Sequence, residues 1–142
     1  MLIGRYTLHA RTGNMFTAPG GLVAGQFYLT QGFEQNLLLV GQDDFETLVG
    51  HFRQLSITDP LARLLSRLML SNAVLLQIEK DRRIHIPASL AEFAQITDQA
   101  VLVGQGRYFE VWSPKLWQEQ ETRLQDTSSN ASQFHLYQIG FA

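Results

Sequence analysis

Three basic side chains fall within four positions of the segment "EKDRRIHIP", residues 79–87: Lys80, Arg82 and Arg83. Ammonium and guanidinium groups at that density can neutralise phosphates. An arginine can also donate two parallel hydrogen bonds to guanine O6 and N7 in a major groove. Glu79 and Asp81 interrupt the cluster, so one copy of it is a weak patch. A charged turn of this kind is often no more than a solvated hairpin. Its chemistry therefore depends on how many copies are presented together and on what holds them.

An earlier segment has the same outline. "RTGNMFTAP", residues 11–19, also runs from a turn into a short extended stretch and a proline. Arg11, Asn14 and Met15 correspond to Glu79, Arg82 and Arg83, and Pro19 to Pro87. The first copy has thus reversed a charge at Arg11 and lost an arginine at Met15.

The surrounding elements repeat as well. Residues 2–9 read as a strand, "ARTGN" as a turn, and "MFTAPGG" as a short extended run closed by Pro19, Gly20 and Gly21. "QFYLTQG" and "NLLLV" form a hairpin, followed by a helix over "DDFETLVGHFRQL" capped by Asp43 or Asp44. A second helix, "TDPLARLLSRLMLS", starts at Thr58 or Asp59 with Pro60 in its first turn. Its stripe of Leu61, Leu64, Leu65 and Leu68 is expected to face inward, with Arg63 and Arg67 solvated.

The pattern then restarts. "AVLLQIE" is a strand, "KDRR" a turn, "IHIP" a short strand and "ASLAEFA" a short helix. "AVLVGQGRYFEVW" is a second hairpin, and "SPKLWQEQETRL" a helix with Ser113 as cap and Trp117 and Leu124 inward. "YLTQG" aligns with "LVGQG", "LLLV" with "FEVW", and Phe45 with Trp117. Two copies of one β-rich unit packed together are the expectation.

Bulk composition fits a globular chain. It has 142 residues, 45% hydrophobic and 17% charged, with no cysteine and a net charge of −2. Disulfides and thiolate metal sites are excluded, and a reducing compartment is compatible. The start lacks the pattern of a secretion signal, and no apolar run reaches membrane-spanning length. The four histidines show no metal-ligand spacing, and His85 alternates with Ile84 and Ile86 onto the opposite strand face. No nucleophile, base and acid stand out together, so neither an enzyme nor a cofactor is expected. "GQGR" is a hairpin turn rather than a phosphate loop, because no Lys-Ser or Lys-Thr helix follows. Trp112 and Trp117 read as core or interface.

Three segments together, "M-L-x-G" at the start, "SITDPLARLLSRLMLSNA" and "RRIHIP…VLVGQGRYFEVWSPKLW", resemble the MraZ family. These are bacterial regulators of the AbrB-like group, encoded at the head of the division and cell-wall gene cluster. The resemblance covers roughly residues 1–125. It implies an α+β, β-rich fold, with two swapped-hairpin repeats in one pseudo-symmetric barrel and helices outside. The repeats would span 1–55 and 73–125, joined by a helix over 56–72 and followed by a flexible tail over 126–142. The apolar end of that tail, Phe134–Phe141, could cap a neighbouring subunit.

The resemblance also implies a cytoplasmic, nucleoid-associated regulator that binds double-stranded promoter repeats as a ring-like homo-oligomer. The family's arginines contact DNA and its turn aspartates look structural. Carried onto matching positions, Arg83, Arg82 and Lys80 become DNA contacts, with Arg11 as a substitute donor in the altered first turn. Glu79 and Asn14 become turn supports. Arg82 stands where glycine is usual, so a left-handed backbone there would cost about 1 kcal/mol. Gln31 stands where an arginine is common. These departures leave open a second role, an oligomeric scaffold of the same fold that no longer binds DNA.

Overall fold

The computed structural model describes residues 1–20 and 24–140. Gly21 and Phe141, named above, lie outside them. The first half contains β1 (Arg5–Thr12), β2 (Met15–Thr17), β3 (Gly25–Gln31), β4 (Leu37–Gly41) and α1 (Gln42–Arg53). Helix α2 (Pro60–Leu70) follows. The second half contains β5 (Val74–Ile78), β6 (Arg83–His85), α3 (Ala88–Phe93), β7 (Gln99–Gly104), β8 (Tyr108–Trp112) and α4 (Pro114–Leu124). Helix α5 (Thr127–Phe134) and a 3-10 turn (His135–Tyr137) complete it.

All ladders are antiparallel, in the order β5-β3-β4-β8-β7-β1-β2-β6. The terminal strands of this order, β5 and β6, lie against each other without a ladder, so the barrel is nearly closed. The fold is α+β and β-rich, as the resemblance implied. The pairing shows why the hairpins count as swapped. β1 pairs with β7 of the other half, and β5 pairs with β3. At the centre, β2 pairs with β6 so that Phe16 faces Ile84, each the counterpart of the other under an internal twofold.

Cross-strand partners fix the alignment of the halves. Leu29 sits between Val74 and Leu39, as Leu102 sits between Tyr6 and Val111. Leu29 therefore corresponds to Leu102, which corrects the alignment of "YLTQG" with "LVGQG" by one residue. The hairpin loops differ in length, and a motif match across them absorbed the difference in the wrong place. "LLLV" and "FEVW" keep their correspondence.

Alternating side chains of the strands fill the barrel with Leu8, Phe16, Leu29, Leu39, Ile84 and Leu102, all fully buried or nearly so. Helices cover its outside. Asp59 caps α2 by accepting from the Leu61 amide at 2.9 Å, with Pro60 at the first position. Ser113 caps α4 by accepting from the Leu116 amide at 3.1 Å. Helix α1 begins one residue earlier than read from sequence. Gly41 stands at its N-cap, and Asp43 and Asp44 lie in the first turn, where carboxylates favour the helix dipole.

Helix α2 is turned relative to expectation. Ala62, Leu65 and Met69 face inward, while Leu61 and Leu64 are 71% and 61% exposed. Thr30 fixes this orientation by donating its hydroxyl to the Met69 carbonyl at 2.6 Å. Leu124 also points outward, although Trp117 is buried. Beyond it, a polar segment read as a tail forms α5, capped by Asp126 accepting from the Ser129 amide.

Candidate nucleic-acid interface

The repeated turns sit at the two ends of the β2–β6 ladder. Thr17 faces Arg83 and Met15 faces His85, on either side of the Phe16–Ile84 pair. Two further backbone bonds extend the ladder symmetrically. The Ala18 amide donates to the Arg82 carbonyl at 2.7 Å, and the Ile86 amide to the Asn14 carbonyl at 2.9 Å. Phe16, Ala18, Ile84 and Ile86 are buried, so the alternate residues form the outer face. On that face Arg83 and His85 are exposed, and Met15 and Thr17 half-buried. Four strand residues separate the turns, about 13 Å along the ribbon.

The second turn is held by its own residues. The Glu79 carbonyl accepts from the Arg82 amide at 2.9 Å, closing a four-residue turn. Arg82 takes the left-handed conformation, φ 62°, so it carries the strain that its replacement of glycine implied. Asp81 supplies the side-chain support. Its Oδ1 accepts from the Arg83 amide at 3.2 Å, and its Oδ2 lies 3.6 Å from Arg83 Nε. That ion pair is 64% and 52% exposed, hence weak, and it leaves the terminal guanidinium nitrogens of Arg83 pointing to solvent. Arg82 reaches across to the first half. Its Nη1 lies 3.2 Å from where a Cβ on Gly20 would stand. Lys80 is exposed at the turn's tip.

The first turn is built differently. Thr12 pairs with Met15 around Gly13 and Asn14. Gly13, φ 56°, takes the left-handed position, and Asn14 does not. Between the Ala10–Phe16 and Thr12–Met15 pairs the register slips, which places Arg11 in a bulge, exposed. A bulge re-aims the side chain it carries. Arg11 is thus the cation at this end of the ribbon, and Arg83, Arg82 and Lys80 form the cluster at the other.

Of the residues picked from sequence as turn supports, Glu79 and Asn14 act here through their carbonyls. Asp81 was missed. Its signal was local, because an Asp two residues before a strand's first amide is the pattern of an Asx turn. The Arg82–Gly20 contact joins distant segments and had no local signal.

Two interleaved halves, with a basic two-stranded ribbon at their axis, define a duplicated swapped-hairpin barrel of the AbrB-like class. The family model described as "MraZ protein, putative antitoxin-like" matches residues 69–137. A Herpetosiphon aurantiacus protein named transcriptional regulator MraZ is 43% identical over 121 residues, covering 83% of this chain and 85% of its own. The proteins of that name from Roseiflexus castenholzii and Thermomicrobium roseum are 37% and 31% identical. They cover 75% and 87% of this chain, and 72% and 89% of their own. The chain belongs to the MraZ family. Transcriptional regulators are not an enzyme class. No helix among the described residues is long and apolar enough to cross a membrane.

Proposed function

We propose that the protein is a transcriptional regulator that binds double-stranded DNA through the β2–β6 ribbon and its two turns. The observation that carries this reading is the clustering of Arg83, Arg82 and Lys80 at one end of an exposed ribbon whose other end bears Arg11. A two-stranded ribbon fits a major groove about 12 Å wide, and the turns are spaced on the same scale. In this reading Arg83 reaches a phosphate or a guanine edge, Lys80 and Arg82 meet phosphates, and Arg11 stands in for the arginine replaced by Met15. The repeats keep the boundaries read from the sequence, and the target is promoter repeats ahead of the division and cell-wall gene cluster. Cytoplasmic, nucleoid-associated placement follows from that target.

A single ribbon is a weak binder for a chain of net charge −2. Several ribbons in a homo-oligomeric ring add their contacts through high effective concentration. The exposed leucines of α2 support such an assembly.

The test is a gel-shift titration over salt concentration with the region upstream of the protein's own operon. Binding should fall steeply with salt, and Arg83→Ala should reduce the log–log slope by about one. An unchanged slope and affinity in that variant would overturn the assignment of Arg83. A second reading is an oligomeric scaffold that no longer binds DNA, and it is favoured by the apolar Met15 on the ribbon's outer face. An oligomer that shifts no DNA even at low salt would establish it.

A further inference from the structure

Where β4, the start of β8 and α1 meet beneath the end of α2, a cavity of about 250 Å³ opens to solvent. Leu38, Val40, Leu48 and Met69 form its apolar wall, and Phe33 stands beside them 67% exposed. Asp44, in the first turn of α1, and Arg107, just before β8, also line it. Both line the adjoining cavity as well, so they stand between the two. Among the described residues neither side chain forms an ion pair or a hydrogen bond, although their charges are opposite. Tyr108 packs its ring on the same wall. Burial raises its pKa, so its hydroxyl is a partly desolvated donor, and no protein acceptor meets it among the described residues.

The arrangement belongs to one half only. Under the internal twofold Val40 corresponds to Trp112, a buried indole that donates to Glu110 at 3.1 Å. Asp44 corresponds to Leu116, and the loop over 32–36, counterpart of the loop holding Arg107, contains no basic residue. An apolar recess bordered by two unlike charges suits a ligand with both charges at one end and an apolar body at the other. A free α-amino acid carries both on one carbon, ionised at pH 7. The recess is smaller than the ~300–1,000 Å³ of sites for drug-sized molecules, which fits an apolar body the size of one side chain.

We propose that this cavity binds a free apolar α-amino acid of the phenylalanine or leucine class. Its side chain lies against Leu38, Val40, Leu48 and Met69. Arg107 takes the carboxylate, with the Tyr108 hydroxyl donating to it, and Asp44 accepts from the ammonium. The bound ligand ties α1 to the start of β8, so it stabilises the folded chain by mass action. None of these groups lies on the β2–β6 ribbon, and the site does not depend on the DNA-binding reading.

The experiment is a titration of the full chain with L-phenylalanine and L-leucine, read by saturation-transfer NMR of the ligand and by the melting temperature. A ligand of about 12 non-hydrogen atoms should bind with a Kd on the order of 1 mM and raise the melting temperature as its concentration rises. Glycine, 3-phenylpropionate and phenethylamine should each bind about tenfold more weakly or worse, because each lacks the apolar body or one charge. Arg107→Gln and Asp44→Asn should each weaken phenylalanine about tenfold. Leu48→Phe, which narrows the recess, should weaken it too. Circular dichroism and the melting temperature without ligand show that each variant is folded. No saturable binding of phenylalanine or leucine up to about 20 mM overturns the site, at a concentration well above the expected Kd. Affinity unchanged in all three variants overturns its location. Phenylpropionate bound as tightly as phenylalanine overturns the amino-acid assignment.

Discussion

Met15 lies across the ladder from His85 in the same relation that Arg83 holds to Thr17. The internal twofold therefore places a thioether where its counterpart places a guanidinium. The first half lost a charge at a position that still faces outward, at the edge of the ribbon rather than in the core. Restoring the charge asks little of the fold.

Met15→Arg should tighten DNA binding and steepen the salt dependence by about one unit of log–log slope. Met15 is half-buried on the outer face, so the melting temperature should change little. Fluorescence anisotropy across a salt series reads both quantities. An unchanged slope would show that the first turn does not reach the phosphates.

Arg82→Gly separates stability from binding. The residue holds φ 62°, a conformation that costs a side chain about 1 kcal/mol and costs glycine almost nothing. The variant should resist denaturant slightly better while binding DNA less well. Loss of stability would mean that the packing of Arg82 over Gly20 outweighs the strain.

Phe16→Ala should destabilise the barrel by about 3–5 kcal/mol. Phe16 is fully buried at the axis, where both halves meet. The shift in urea midpoint measures it. A shift below about 1 kcal/mol would show that the neighbouring core collapses into the space.

Tyr108 sets an alkaline limit. Burial, assisted by the Glu110 carboxylate, pushes its hydroxyl above the ordinary value of 10.0. The folded protein holds this proton to higher pH than the unfolded chain does. The corresponding stability is therefore whole below about pH 10 and is lost as pH rises through the folded value. Tyr108→Phe should flatten the alkaline limb of a stability-against-pH curve measured in urea. An unaltered limb would place its origin elsewhere.

Features governed by near neighbours were readable in the chain. The Asp59–Pro60 and Ser113–Pro114 starts are local chemistry, and both helices begin there. The repeated turn was readable because each copy carries its own proline and short strand. Features set by distant partners were not. Leucines lie on both sides of α2, and only Thr30 and the β4–α1 face decide that Leu65 and Met69 go in while Leu61 and Leu64 stay out. The strand register across β3 and β7 likewise needed the cross-strand partners of Leu29 and Leu102. The cation cluster was legible as composition, whereas its attachment to Gly20 and Asp81 is geometry.

The exchange of strands between halves has a consequence for synthesis. His9 pairs with Gln99, 90 positions later in the chain. At about 5–20 residues per second, β1 waits about 5–20 s on the ribosome before its partner is made. During that interval β1 can pair only with β2, and the β3–β4 hairpin lacks β5 and β8 beside it. The sheet is complete only when the second half supplies β5, β6, β7 and β8, and topologies built on such distant pairings fold slowly. A nascent β1 also carries an unpaired strand edge, which a second nascent chain on the same message can offer to complete.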